Sequence, residues 1–106
     1  MGYKRSMVQL YEGFVAGYQY HEGPQVEHEM RKGEALRLVW EKENVHDPFA
    51  IAVYYKDSQL GYVPKIFSKE VCNILASRRE LAVTFIGLNE YAEPWERVAF
   101  EICELR

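Results

Sequence analysis

Glu43-Asn44-Val45-His46-Asp47-Pro48-Phe49-Ala50-Ile51-Ala52-Val53-Tyr54 is the stretch on which the fold turns, and Leu60-Gly61-Tyr62-Val63-Pro64-Lys65 follows it closely. Asp47-Pro48 starts a turn, because proline fixes its own φ and bars the residue before it from helix. Residues 50–55 are then β-branched, aromatic or small, which predicts a strand. Lys56-Asp57-Ser58-Gln59 reads as a short hairpin connection, and 60–63 returns as the next strand.

Working outward in the C-terminal direction, Pro64 and Ser68 open a helix over 68–78. Val71, Ile74 and Leu75 recur at helical spacing with Cys72 beside them, and Arg78 and Arg79 stand where cations favour a helix C-terminus. A fifth strand is expected over 80–88, with Leu81, Val83 and Phe85 alternating against Ala82, Thr84 and Ile86. After a loop to Pro94, a sixth is expected over 95–103, with Val98, Phe100 and Ile102 facing one way.

In the N-terminal direction, 41–48 is a loop, and 35–40 alternates Leu36, Leu38 and Trp40 against Arg37 in the manner of a half-buried strand. The polar stretch 25–32 reads as a connecting loop with room for one helical turn, and Tyr20-His21-Glu22-Gly23-Pro24 as a turn. The first strand is expected over 10–18, with Gly13 and Gly17 marking bends or close backbone approach. Six strands and one helix in so short a chain favour closure, because closure removes unpaired edges. The expected architecture is a six-stranded OB-like β-barrel with the helix inserted between strands four and five. Residues 1–9 form an N-terminal extension and 10–106 the domain.

Composition narrows the function. The chain has 106 residues, enough for one domain with its own core, and 48% of them are hydrophobic. A formal net charge of -3 counts against wrapping duplex DNA, which needs clustered Lys and Arg, but leaves room for a local site holding one or two phosphates. Cys72 and Cys103 match no CxxC spacing, the N-terminus shows no leader pattern, and no apolar run suits a membrane span. The expectation is therefore an intracellular, cytoplasmic protein with reduced thiols. Met1-Gly2 with Ser6 fits a myristoylation signal only loosely. No nucleotide-loop or nucleophile-elbow motif is present, and His21 and His28 lack the tight spacing of zinc ligands, so neither catalysis nor a metal or other cofactor is expected.

The 44–50 loop carries the chemistry. Asp47 can cap its own turn, a purely structural use. Alternatively, Asn44, His46 and Asp47 offer a donor, a flat ring and an anionic acceptor from one rigid turn. An acceptor carboxylate suits a ligand hydroxyl or amide and repels phosphate. Tyr62 and Lys65 place an aromatic and a cation at a strand end, again either as surface packing or as one wall of a cleft. Tyr18 and Tyr20 add flat faces of the kind on which single-stranded bases stack, each stack worth roughly 1–3 kcal/mol.

These segments, together with Gly13-Phe14-Val15-Ala16-Gly17 and Leu36-Arg37-Leu38, resemble the HIRAN domain from about Tyr11 to Glu104. The resemblance implies an OB-like β-barrel and a module that grips the 3′ end of single-stranded DNA. It implies too a connection with DNA repair, and a helicase or nuclease supplied in trans. By position it implies a stacking face from Tyr20, a ring at His46 flanked by Asn44 and Asp47, acceptance of the 3′-hydroxyl by Asp47, and a phosphate contact from Lys65 with Tyr62 beside it. Gln19 departs from the pattern, standing where the DNA-binding member is basic. A charge-assisted phosphate bond of about 1.5–3 kcal/mol is lost with it. His46 restores positive charge only when protonated, so a DNA-binding site here should bind more tightly near pH 6 than near pH 8. The alternative is a non-catalytic protein-interaction or structural module in which the same loop serves only the fold.

Overall fold

Alternation of apolar and polar residues sets the sheet faces, and the ladders divide the strands into two groups. The computed structural model describes residues 6–106, so the N-terminal acylation reading lies outside the described residues. Strands β1 (Met7–Phe14), β5 (Leu81–Leu88) and β6 (Val98–Leu105) form one antiparallel sheet in the order β1-β6-β5. Strands β2 (Arg37–Trp40), β3 (Ile51–Tyr55) and β4 (Ser58–Tyr62) form the other, in sequence order. The expected continuous barrel is not what these ladders make. Single bridges link the sheets, Ala16 with Tyr62 and Ala35 with Thr84.

Between the sheets lies the core. Val98, Phe100 and Ile102 from β6 are fully buried, as are Ile51 and Val53 from β3 and Leu60 from β4. Each such side chain contributes roughly 1.5–3 kcal/mol over leaving it in water. Helix α2 (Ser68–Ala76) adds Val71, Cys72 and Ile74 to the same core, as the helical spacing requires. It stops at Ala76 rather than running to 78, and Arg78 takes a left-handed conformation with φ 60°.

The largest departure from expectation is at the end of the first strand. β1 begins at Met7 and ends at Phe14, not over 10–18, and Tyr18–Tyr20 is a single 3-10 turn. Gly17, at φ 70°, reverses the chain, so Tyr18 falls into the interior instead of continuing the ladder. The polar segment that follows holds a four-residue helix, α1 (Gly23–Val26), with Pro24 in its first turn where a missing N–H costs nothing. Trp95 likewise belongs to a 3-10 turn, Pro94–Glu96, and not to the last strand. The β3–β4 hairpin is tighter than expected, with Lys56 at φ 52° and Ser58 and Gln59 already in the ladder.

Candidate functional site

Asn44 builds the turn that carries the site. Its Oδ1 accepts from the backbone N–H of His46 at 2.9 Å and of Asp47 at 3.1 Å, while its Nδ2 donates to Glu41 at 3.1 Å. Asp47 then accepts from the Phe49 N–H through Oδ1 at 3.0 Å. The turn is closed by the Glu41 N–H donating to the Ala50 carbonyl at 2.8 Å, and pinned to the second sheet's rim by the Trp40 indole donating to Pro48 O, also at 2.8 Å. The structural and the functional readings of Asp47 are thus compatible. One oxygen caps the turn, and the other has no hydrogen-bond partner among the described residues.

Tyr62 reaches the same place from β4. Gly61 directly before it is buried at φ 152°, and a Cβ there would overlap the Ala16 carbonyl oxygen. Only glycine lets the chain pass this close, and the closeness creates the Ala16–Tyr62 bridge, with N···O distances of 2.7 and 2.9 Å. Edge-on against the Tyr62 ring stands His21, its centroid 5.6 Å away, held by a 2.8 Å bond between Nδ1 and the Gly17 carbonyl. A carbonyl only accepts, so Nδ1 carries the proton.

Asp47, Tyr62 and Lys65 come together around a pocket of about 220 Å³ that is also lined by Ala16, Gly17, Ala50 and, at the start of α2, Ser68. Lys65 is exposed and has no ion-pair partner among the described residues. The pocket therefore combines one exposed cation with one anionic acceptor among small apolar residues. The other three expected residues do not line it. Asn44 is spent on the turn, His46 points from an exposed position on that turn, and Tyr20 is 81% exposed on the 3-10 turn leading away from Gly17.

A model of the HIRAN domain matches residues 8–103. The chain belongs to the HIRAN domain family. A solved protein from Lactobacillus plantarum is similar in structure, with a TM-score of 0.76 at 20% identity, over 96% of this chain and 98% of that one. At that identity the likeness speaks to the fold. No curated protein matches the sequence.

Three features of this HIRAN domain were not apparent from sequence. Glu41, immediately after β2, accepts from the Tyr62 hydroxyl at 3.1 and 3.3 Å as well as from Asn44, and so joins two site residues. Trp95, 57% exposed, sits on a turn packed against the one that presents Tyr20. Beneath them Arg97 grips Glu27 with a bidentate pair at 2.6 and 2.9 Å, and the buried Tyr18 hydroxyl donates to the same carboxylate at 2.7 Å. The Arg97 guanidinium holds the Glu27 carboxyl below the usual glutamate range, while burial and that carboxylate push the Tyr18 phenol far up. Among the described residues no cluster of three metal-ligating side chains occurs, and no helix is long and apolar enough to cross a membrane. Both cysteines are buried free thiols, pushed up first by burial, and so stay neutral.

Proposed function

We propose that this HIRAN domain is a non-catalytic module binding the 3′-hydroxyl end of single-stranded DNA. The observation that carries the proposal is the free oxygen of Asp47 in a pocket shared with Tyr62 and Lys65. A free carboxylate oxygen accepts from the terminal hydroxyl, Lys65 meets the adjoining phosphate, and Tyr62 packs on the sugar. The pocket is below the roughly 300–1,000 Å³ of drug-sized clefts, so it suits a terminal sugar with its base outside. Tyr20 and Trp95 then offer faces for the bases that follow, and His46 a ring at the rim, while Asn44 holds the turn in shape. That HIRAN domains are known for gripping such ends supports the reading. The proposal extends to the two sheets acting as an OB-like barrel closed by their two bridges. It extends also to a cytoplasmic role in DNA repair beside a helicase or nuclease.

Fluorescence anisotropy of a short 5′-labelled oligonucleotide tests it. Tight binding with a free 3′-hydroxyl and loss with a 3′-phosphate is the expected result; equal or absent binding to both contradicts it. A second reading has its own observation. Val45 and Ile66, at 89% and 85% exposure, belong to the two segments that frame the pocket, and apolar residues there suit a protein partner. An unresponsive oligonucleotide would favour that reading.

A further inference from the structure

The Asp47 turn and the Tyr62 wall of the pocket are joined through Glu41, whose carboxylate accepts from the Tyr62 hydroxyl at 3.1 and 3.3 Å and from Nδ2 of Asn44, the residue that shapes the turn, at 3.1 Å. An ionised carboxylate can only accept, and a phenol has one proton. The Tyr62 proton is therefore committed to Glu41, and its oxygen, which the Gln59 side chain also approaches as a donor, can only accept. The Asn44 amide is committed too, its Nδ2 to Glu41 and its Oδ1 to two backbone N–H groups. The Asp47 carboxylate adds a further acceptor beside Tyr62, and the donor side chains among the residues lining the pocket are Lys65 and Ser68.

We infer that Glu41 is a positioning residue that sets the hydrogen-bond polarity of the pocket, making Tyr62 an acceptor and so selecting a ligand hydroxyl over a terminal phosphate. This rests on the end-binding reading above. A terminal hydroxyl brings the proton that both acceptors lack. A terminal phosphate brings only further acceptors and negative charge, and the pocket's cation, Lys65, is engaged by the internal phosphate. Glu41 does this without touching the ligand, and its backbone bonds to Ala50 and Asn44 are untouched by a side-chain change.

The test measures three 5′-labelled oligonucleotides, ending in 3′-hydroxyl, 3′-hydrogen or 3′-phosphate, against the unmodified chain, Glu41→Ala, Glu41→Gln, Tyr62→Phe and the Ala/Phe double variant. One lost hydrogen bond predicts that E41A lowers the hydroxyl-over-phosphate ratio about fivefold. Tyr62→Phe lowers it similarly, the double variant goes no further than Y62F alone, and E41Q, which keeps a carbonyl acceptor for Tyr62, restores most of the ratio. A folded E41A with an unchanged ratio, or with equal losses for all three ends, overturns the assignment while leaving end binding intact. No binding by the unmodified chain, or equal binding to all three ends, overturns the end-binding reading and this one with it. Should E41A fail to fold, Glu41→Met keeps the length without an acceptor and decides on the same ratio.

Discussion

Gly61 shows how narrowly the site is specified. A methyl group there overlaps the Ala16 carbonyl oxygen, and φ 152° is strained for any side chain. Gly61→Ala should cost more than about 2 kcal/mol in denaturant unfolding and abolish oligonucleotide binding. Asp47 separates fold from function more cleanly. Asn at this position can still accept from the Phe49 N–H, so Asp47→Asn should stay within about 0.5 kcal/mol of the parent in stability. It should nonetheless lose about tenfold in affinity for a 3′-hydroxyl end, since the charged hydrogen bond is gone. Wild-type affinity in this variant would remove Asp47 from the site. Asp47, Tyr62 and Lys65 were legible in the sequence because proline and glycine fix the local chain at both segments. Glu41 was not, because its partner Tyr62 is 21 residues away and only the β2–β3–β4 register brings them together.

Among the elements, the 3-10 turns at Tyr18–Tyr20 and Pro94–Glu96 escaped a reading based on periodicity, which has nothing to say about three-residue elements. Tyr18 looked like the continuation of a strand, and only the left-handed Gly17 sends it inward to meet Glu27. The Glu27–Arg97 clamp then joins segments 70 residues apart, beyond any local pattern. Its energetic weight can be measured. Arg97→Ala leaves a half-buried carboxylate without its bidentate partner and should cost about 2 kcal/mol. The pH dependence has a definite sign. Because the folded-state Glu27 is held below its unfolded value, its contribution is fully present above the ordinary glutamate range of about 4.3 and is lost as pH falls through the folded value. Thermal unfolding of Glu27→Gln should therefore converge on that of the parent in acid; a constant gap at every pH would contradict the clamp. Since the clamp sets the turn of Trp95 against that of Tyr20, Trp95→Ala should weaken longer oligonucleotides by roughly 1–3 kcal/mol while sparing a dinucleotide.

Across the whole molecule, the number of strands and their order along the chain were legible because six short alternating segments are set apart by turn residues. That the strands would divide into two sheets linked by single bridges at Ala16 and Ala35 was not, since no hydrophobic pattern encodes such bridges. Net charge limits the binding mode at the same scale. On the end-binding proposal, a chain of charge -3 with one lysine in its pocket has the charge to meet one or two phosphates, not a tract. The logarithm of the binding constant should fall against the logarithm of salt concentration with a slope of about -0.7 to -1.4, as one or two released counterions require. A markedly steeper slope would indicate a backbone-tracking surface elsewhere. Recognition of an end rather than of a strand is decided by competing a labelled linear oligonucleotide with its unlabelled linear and covalently circularised forms. Competition by the linear form alone is the predicted result; equal competition by the circle, which has no 3′-hydroxyl, would contradict the account.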